Sequence, residues 1–163
     1  MDAAQAMAKG RVKLLLQFPF FASLALRLRP VEDNCYPTMG TDGQVLVYNG
    51  KFVVGLKESD MLYILAHECL HCALQHLWRR GAREHVRWNV ACDYAINNML
   101  TYECNMKSPT GALRDKKYSG MSAEEIYDKL PQTQTYVILD FHDLWEQQHS
   151  GMGEAGAHDA AGQ

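Results

Sequence analysis

Two histidines and a glutamate stand at a spacing that could hold a metal ion and activate water. They are His67, Glu68 and His71, within the segment YILAHECLHCALQHLWRRG. On a helix, residues four apart share one face, so both imidazoles can point at one ion. Glu68 follows His67 by about 100° round the helix and can reach a water molecule on that ion without binding the ion itself. The pattern is typical of zinc-assisted hydrolysis with the carboxylate as general base.

The alternative is a core helix whose histidines are satisfied by ordinary hydrogen bonds. The residues around the motif, from 61 to 77, are uncharged and mostly apolar apart from Gln75 and His76. A buried helix of this kind must satisfy the polar groups of the motif, and a metal ion would do so. On a continuous helix His76 falls about 140° from His71. We therefore expect His76 to be a helix-end residue rather than a ligand.

A catalytic zinc site requires a third protein ligand and one open position. Asp93 follows the motif by 22 residues and lies in a polar stripe with Asn89 and Asn97, each four residues away. A carboxylate on a buried stripe needs a partner, and a metal ion is one candidate. The alternative is an exposed polar face. His85 and Cys92 are rival ligands that spacing alone does not exclude.

The motif helix is expected to begin with Ser59 as N-cap and Asp60 in its first turn, and to stop at Gly81. Before it, the turn sequence TDG and the alternating QVLVYN predict a hairpin or small sheet between residues 38 and 54. After it, a second helix is expected over about 85–100.

Farther along the chain, Ser122 and Glu125 have the spacing of a capping box on a short helix that ends before Pro131. The segment TYVILDFHDLWEQQ is expected to form one more strand. The last residues are small and polar, and we expect them to form a flexible tail or linker.

Composition favours one soluble domain. The chain has 163 residues, of which 47% are hydrophobic and 21% charged, and its formal net charge is −3. That charge gives no reason to expect nucleic acid or an anionic membrane as partner. The odd number of cysteines, five, favours free thiols in a reducing compartment, so we expect a cytoplasmic location. Cys69 and Cys72 form a single C-x-x-C without a second pair, which disfavours a four-cysteine zinc site.

The N-terminal segment KGRVKLLLQFPFFASLALRL resembles a signal peptide only superficially. Gln17 and Pro19 interrupt the apolar run, and Arg27 and Arg29 close it. The segment is also too broken to span a bilayer, which needs about 20 apolar residues. We expect an amphipathic, kinked helix that packs on the domain.

Four segments in order carry a resemblance to a known family: RPVEDNCYPTMGTDGQVLVYN, LAHECLHCALQHLWRRG, WNVACDYAINNML and YSGMSAEEIYDKL. They resemble the metallopeptidase domain of bacterial and phage proteins that usually carry a C-terminal von Willebrand factor A-like domain. The resemblance implies His67, His71 and Asp93 as metal ligands and Glu68 as the catalytic base. This chain has no von Willebrand-like half, so we expect a stand-alone form or a fragment that ends in the tail.

The resemblance also implies a zincin-like α+β fold over residues 1–145, followed by a flexible tail or linker at 146–163. The active-site helix would pack beside a small β-sheet, and a second helix would bring the third ligand. The strand around Gln44 to Asn49 would be the edge to which an extended peptide adds. Tyr118 is a further candidate for an oxyanion or substrate contact, against a plain packing role. His142 lies between two aspartates and is expected in a solvated turn rather than at the metal.

Two functions follow from these observations. The first is a zinc-dependent peptidase, with Zn²⁺ as cofactor and a protein or peptide as substrate, which acts on general substrates or on one dedicated protein. The second is a non-catalytic, metal-stabilised interaction module that works with a MoxR-type AAA+ ATPase or a von Willebrand factor A-like partner, a reading that the family's gene neighbourhood implies. No membrane or nucleic-acid partner is expected in either case.

Overall fold

The computed structural model describes residues 1–132 and has an α+β fold, as expected. The elements in chain order are α1 (Ala3–Gln17), α2 (Pro19–Ala25), β1 (Arg29–Glu32), β2 (Met39–Thr41), β3 (Val45–Tyr48), α3 (Gly50–Gly55), α4 (Glu58–Ala73), α5 (His76–Arg79), α6 (His85–Asn98) and α7 (Ala123–Lys129). A π-helical turn at Met99–Glu103 extends α6, and a 3-10 turn at Lys116–Tyr118 precedes α7.

The kinked N-terminal helix is confirmed as the pair α1 and α2. Asp2 caps α1 by accepting from the Gln5 amide at 2.8 Å. Pro19 begins α2 and forces the preceding Phe18 out of the helical region, at φ −138° and ψ 71°. α1 packs closely on α4, since a Cβ at Gly10 would lie 2.6 Å from Met61 Cγ. Within residues 1–132, no helix is long and apolar enough to cross a membrane.

The predicted hairpin is confirmed as β2 and β3. Its turn is held by Asp42 Oδ1, which accepts from the amides of Gln44 and Val45 at 2.8 Å each, and Gly43 supplies the positive φ of 92°. The sheet does not extend to residue 54, because Asn49 caps α3 by accepting from the Phe52 amide at 3.0 Å.

The expected position of the edge strand is wrong. The sheet order is β1-β3-β2, with β1 parallel and β2 antiparallel to β3. The strand around Gln44 to Asn49 is therefore central and cannot accept an added peptide strand. β1 is short, mostly exposed and contains Pro30, which an edge strand tolerates. Because a proline argues against a strand in a sequence, β1 was not predicted.

Helix α4 carries the motif and lies in the core. It begins at Glu58 after Lys57, so Ser59 is not the N-cap, although Glu58 and Asp60 do lie in the first turn. Its apolar residues, Leu62, Leu65, Ala66 and Leu70 among them, are buried in the main hydrophobic cluster. The helix ends at Ala73 and does not run on to Gly81. Gln75 takes a left-handed conformation, with φ 56°, and the chain restarts as α5.

Helix α6 begins at His85 as expected, and two sets of contacts hold its N-terminal turn. Glu84 accepts from the amides of Val86 and Arg87 at 2.9 and 2.7 Å. The Arg87 guanidinium donates to the carbonyls of Tyr127 and Leu130 at 2.6 and 2.7 Å and so ties α6 to the end of α7. Both hydrogen bonds of the predicted capping box at Ser122 are present.

The five cysteines all lie within the described residues, and no disulfide joins them, as expected. The predicted strand over 135–148, His142, the boundary at residue 145 and the tail at 146–163 lie outside the described residues and stay predictions.

Candidate metal centre

Three side chains from α4 and α6 converge at one point. The Nε2 atoms of His67 and His71 are 2.9 Å apart, on consecutive turns of α4. Asp93 Oδ1, from α6, lies 3.6 Å from Nε2 of His67 and 3.5 Å from Nε2 of His71. All three residues are buried. The two helices thus bring together the three ligands that the sequence and the resemblance predicted.

The dimensions of this group fit a tetrahedral metal ion. Its three interatomic distances average about 3.3 Å. Ligand atoms at 2.0–2.1 Å from a tetrahedral zinc ion lie roughly 3.3–3.4 Å from one another. Two imidazole nitrogens and one carboxylate oxygen are a donor set that zinc accepts. Three protein ligands also leave the fourth position for water or substrate.

Asn97 fixes the tautomer of His67. Its Nδ2 donates to the carbonyl of Leu113 at 2.9 Å, which turns its Oδ1 toward His67. That oxygen lies 2.9 Å from His67 Nδ1 and can only accept, so Nδ1 carries the proton and Nε2 presents its lone pair to the centre. The Tyr63 hydroxyl, 3.2 Å from the same oxygen, supports this orientation.

His76 supports His71 in the same way. The Nδ1 atoms of the two rings are 3.3 Å apart, and His76 is buried. Burial is the main cause that lowers the pKa of His76, to about 2, so His76 is neutral and can accept. A His71 that binds an ion through Nε2 carries its proton on Nδ1 and donates it to His76. The Trp88 indole donates to the His76 carbonyl at 3.0 Å and ties α5 to α6.

Glu68 lies on the side of α4 that faces β2. It is fully buried and shares a helix face with Cys72, whose Sγ is 3.8 Å from Thr41 Oγ1 of β2. Burial raises the pKa of the Cys72 thiol to about 11, and the negative charge of Glu68 adds to this rise. Glu68 therefore lies on the helix face next to the one that carries the two histidines.

Comparison with known protein families agrees with this geometry. Residues 2–163 match the model of a family described as "Putative metallopeptidase domain". The chain belongs to this family. Neither the curated proteins nor the solved structures provide a match. The resemblance seen in the sequence is thereby confirmed for the metallopeptidase domain, while its von Willebrand factor A-like and ATPase partners stay predictions.

His85 and Cys92, the two alternatives to Asp93 as third ligand, have other contacts. His85 Nε2 lies 3.2 Å from Asn89 Nδ2 at the start of α6. Cys92 is buried in a cluster with Val47, Leu77 and Trp88. Among the described residues, His67, His71 and Asp93 form the one group of three or more metal-ligating side chains with adjacent ligand atoms.

The polar stripe on α6 is buried. Asn89, Asp93 and Asn97 are 2%, 2% and 4% exposed, so the alternative of a solvated face is wrong. Its members have different contacts: Asp93 lies against Nε2 of both histidines, whereas Asn97 accepts from Nδ1 of His67.

Tyr118 packs in a separate hydrophobic cluster of the domain. It is buried with Val90, Ala91 and Ile126, and its ring centroid is 5.0 Å from that of Tyr94. These contacts are those of a packing residue. Its role as an oxyanion or substrate contact stays a prediction.

Sequence reasoning identified the three side chains that converge at the candidate metal centre but missed the residues that orient them. Asn97 was visible as part of the polar stripe, although nothing marked it as the partner of His67. His76 lies at a helix end and outside the group of candidate ligands, as expected, but its contact with His71 was missed because the motif helix was taken as continuous. A glutamine in the left-handed conformation leaves no sequence signal comparable to a glycine.

Proposed function

We propose that the chain is a zinc-dependent metallopeptidase that hydrolyses peptide bonds with water, Glu68 serving as general base. The observation that supports this most strongly is the buried group of His67, His71 and Asp93 on helices α4 and α6, in a member of a metallopeptidase family. Glu68 belongs to the same helix as the two histidines and lies beside their face.

The residues of the chain divide the work. His67, His71 and Asp93 would hold Zn²⁺, which when bound lowers the pKa of water to roughly 7 and polarises a carbonyl. The Glu68 carboxylate accepts a proton from the attacking water and passes it to the leaving amine. Asn97 and His76 keep the imidazoles in the tautomer that presents Nε2 to the centre. The donor set also admits manganese, iron, cobalt or nickel, and zinc is the proposal that suits a four-coordinate site.

We also propose a cytoplasmic location. Five cysteines without a disulfide, in a chain large enough to fold without such links, suit a reducing compartment.

Replacing Glu68 tests the proposed catalysis. Glu68→Gln keeps the size of the side chain and removes the proton acceptor, so we expect full metal content and a loss of peptide hydrolysis of about 100-fold or more. Hydrolysis is measured by mass spectrometry on an unfolded protein substrate, and metal by elemental analysis. The matched control is Glu58→Gln, in the exposed first turn of the same helix, which should retain both properties.

Two results of this experiment would contradict the proposal. Metal lost with Glu68 would make that residue a ligand or a structural support rather than a base. A wild-type chain that binds metal, unfolds without it and cleaves nothing would instead be the interaction module expected as the alternative, and the next step would be a search for its ATPase or von Willebrand factor A-like partner.

A further inference from the structure

The side of α1 and α2 that points away from α4 carries large apolar side chains. On the inner side of the two helices, residues such as Leu14 and Phe21 are buried in the main hydrophobic cluster and pack toward α4. The opposite side is apolar as well, and we call it the outer face. Its large side chains are between 43% and 75% exposed, and they are those of Val12, Leu15, Leu16, Phe20 and Leu26.

The outer face is a continuous surface. Val12 and Leu16 lie four residues apart on one side of α1. The exposed apolar surface continues across the kink to Phe20, at the start of α2, and to Leu26, at its end. The hydroxyl on this side of α2 is paired, because Ser23 Oγ donates to the Phe20 carbonyl at 2.7 Å. The surface therefore suits contact with an apolar phase, where an unpaired hydroxyl would be costly.

Cations flank the outer face, and neither helix contains an acid. Residues 3–31 include five Lys and Arg residues and no Asp or Glu. Two of the cations have structural partners, since Lys13 pairs with Glu58 and Arg11 donates to the backbone carbonyls of residues 25 and 28. The other three are exposed and form no ion pair within residues 1–132, and they are Lys9, Arg27 and Arg29. The formal net charge of the whole chain, −3, does not reveal this local excess of positive charge.

Three kinds of partner could cover an apolar surface flanked by cations: a second copy of the chain, an acidic protein or an anionic membrane. A second copy would bring its own unpaired cations to the same surface, and like charges repel. An acidic protein would need a groove that matches the ridge formed by two helices, whereas lipids adapt to it. Helices that lie at a membrane surface combine Leu and Phe on one side with Lys and Arg beside them. The observations therefore favour the membrane.

We propose that the outer face of α1 and α2 binds the surface of an anionic membrane. The apolar side chains insert among the lipid headgroups, while Lys9, Arg27 and Arg29 are attracted to the negative charge of the lipids. This proposal replaces the expectation, drawn from the overall net charge, that no membrane is a partner. It does not depend on the proposed catalysis, so either proposal can fail without the other.

Flotation with lipid vesicles tests the proposal on the full chain. The probes are vesicles of phosphatidylcholine alone and vesicles in which about one lipid in three is phosphatidylglycerol. At about 0.1 M salt we expect the chain to bind the anionic vesicles more strongly than the neutral ones, by roughly 10-fold or more. Binding should weaken at about 0.5 M salt, because salt screens the attraction between the exposed cations and the lipids.

A matched pair of valine variants tests the apolar part of the outer face. Val12 and Val86 are 56% and 48% exposed, and only Val12 lies in the outer face. Val12→Ser should weaken vesicle binding by about 10-fold, since a serine gains little from contact with lipid. Val86→Ser should bind as wild type does. Far-UV circular dichroism shows whether both variants keep the fold.

A matched pair of lysine variants tests the charge. Lys9 and Lys107 are both exposed, and Lys107 follows α6, outside the outer face. Lys9→Gln should weaken binding to the anionic vesicles by about 5-fold, the effect of one cation near such a surface. Lys107→Gln should leave the binding unchanged.

Four results would overturn the proposal. The first is weak and equal binding to the two kinds of vesicle, and the second is an equal effect of Val12→Ser and Val86→Ser. A wild-type chain that light scattering shows to be a dimer, and that becomes a monomer as Val12→Ser, would assign the outer face to a second copy. Retention on polyglutamate that is lost in Val12→Ser, without vesicle binding, would assign it to an acidic protein.

Discussion

Asn97 is the residue that connects the candidate metal centre to its surroundings. One end of its amide accepts from His67, and the other donates to the Leu113 carbonyl in the segment before α7. Residues that orient metal ligands typically change metal affinity by 10–100-fold when they are replaced. One side chain therefore orients His67 and also holds the segment before α7.

Asn97→Leu is expected to weaken zinc binding by about 10–100-fold, because His67 Nδ1 loses its acceptor while the volume of the side chain is kept. A competition assay with a chromophoric chelator measures the affinity. The matched control is Asn98→Leu, which also detaches the segment before α7 but does not touch His67. Equal affinities in the two variants would show that Asn97 acts only through the fold.

At this scale the sequence predicted much of the site. The spacing of His67 and His71 indicated two ligands, and the polar stripe offered Asp93 as a third beside its rivals His85 and Cys92. The family resemblance singled out Asp93, and the structure brings these three side chains together. The partners of the two imidazoles could not be predicted, because hydrogen bonds between different elements depend on how those elements pack. Asn97 is 30 residues from His67, and His76 is five residues from His71. Neither spacing belongs to a motif that would mark the two residues as partners.

The break between α4 and α5 is the element-scale feature that completes the site. α4 ends at Ala73, Gln75 adopts φ 56°, and the chain turns so that His76 meets His71. The left-handed conformation costs a residue other than glycine roughly 1–2 kcal/mol, which the packing around His76 and Trp88 must offset. The break therefore introduces strain at Gln75 but places His76 where it supports His71.

Gln75→Val tests this account of the break. A β-branched residue is poorly tolerated at positive φ, so we expect the free energy of unfolding to fall by about 1–2 kcal/mol more than in the control. The control is Ala73→Val, which introduces the same valine at an exposed helical position two residues earlier. Urea denaturation of both metal-free variants gives the comparison. Equal destabilisation would indicate that Gln75 carries no strain.

Elements with strong periodicity or clear caps were predicted, and those that depend on tertiary contacts were not. The helices α4, α6 and α7 and the hairpin of β2 and β3 follow from apolar spacing, a capping box and a turn sequence. β1 was missed because its four residues include a proline and are mostly exposed, and its pairing with β3 is non-local. The central position of β3 was consequently mistaken for an edge.

Other elements of the domain hold α4 and α6, the two helices that carry the candidate ligands, in place. The α1–α2 pair packs against α4, and α7 is bound to α6 through Arg87 and to α5 through an ion pair between Arg79 and Glu124. The candidate ligands His67, His71 and Asp93 lie where α4 and α6 meet. Burying two imidazoles and a carboxylate together is costly unless an ion or a proton balances them, which favours a bound metal.

Metal content is the measurement that tests the central claim most directly. Wild-type chain, His67→Ala, Asp93→Ala and Glu68→Gln are purified without added metal and examined by elemental mass spectrometry. His85→Ala is the control, because His85 was a rival ligand and lies outside the group. We predict about one zinc ion per chain in wild type, Glu68→Gln and His85→Ala, and its loss in the other two variants. Wild-type chain that holds no metal even after zinc is supplied would contradict the account, and so would zinc retained without Asp93.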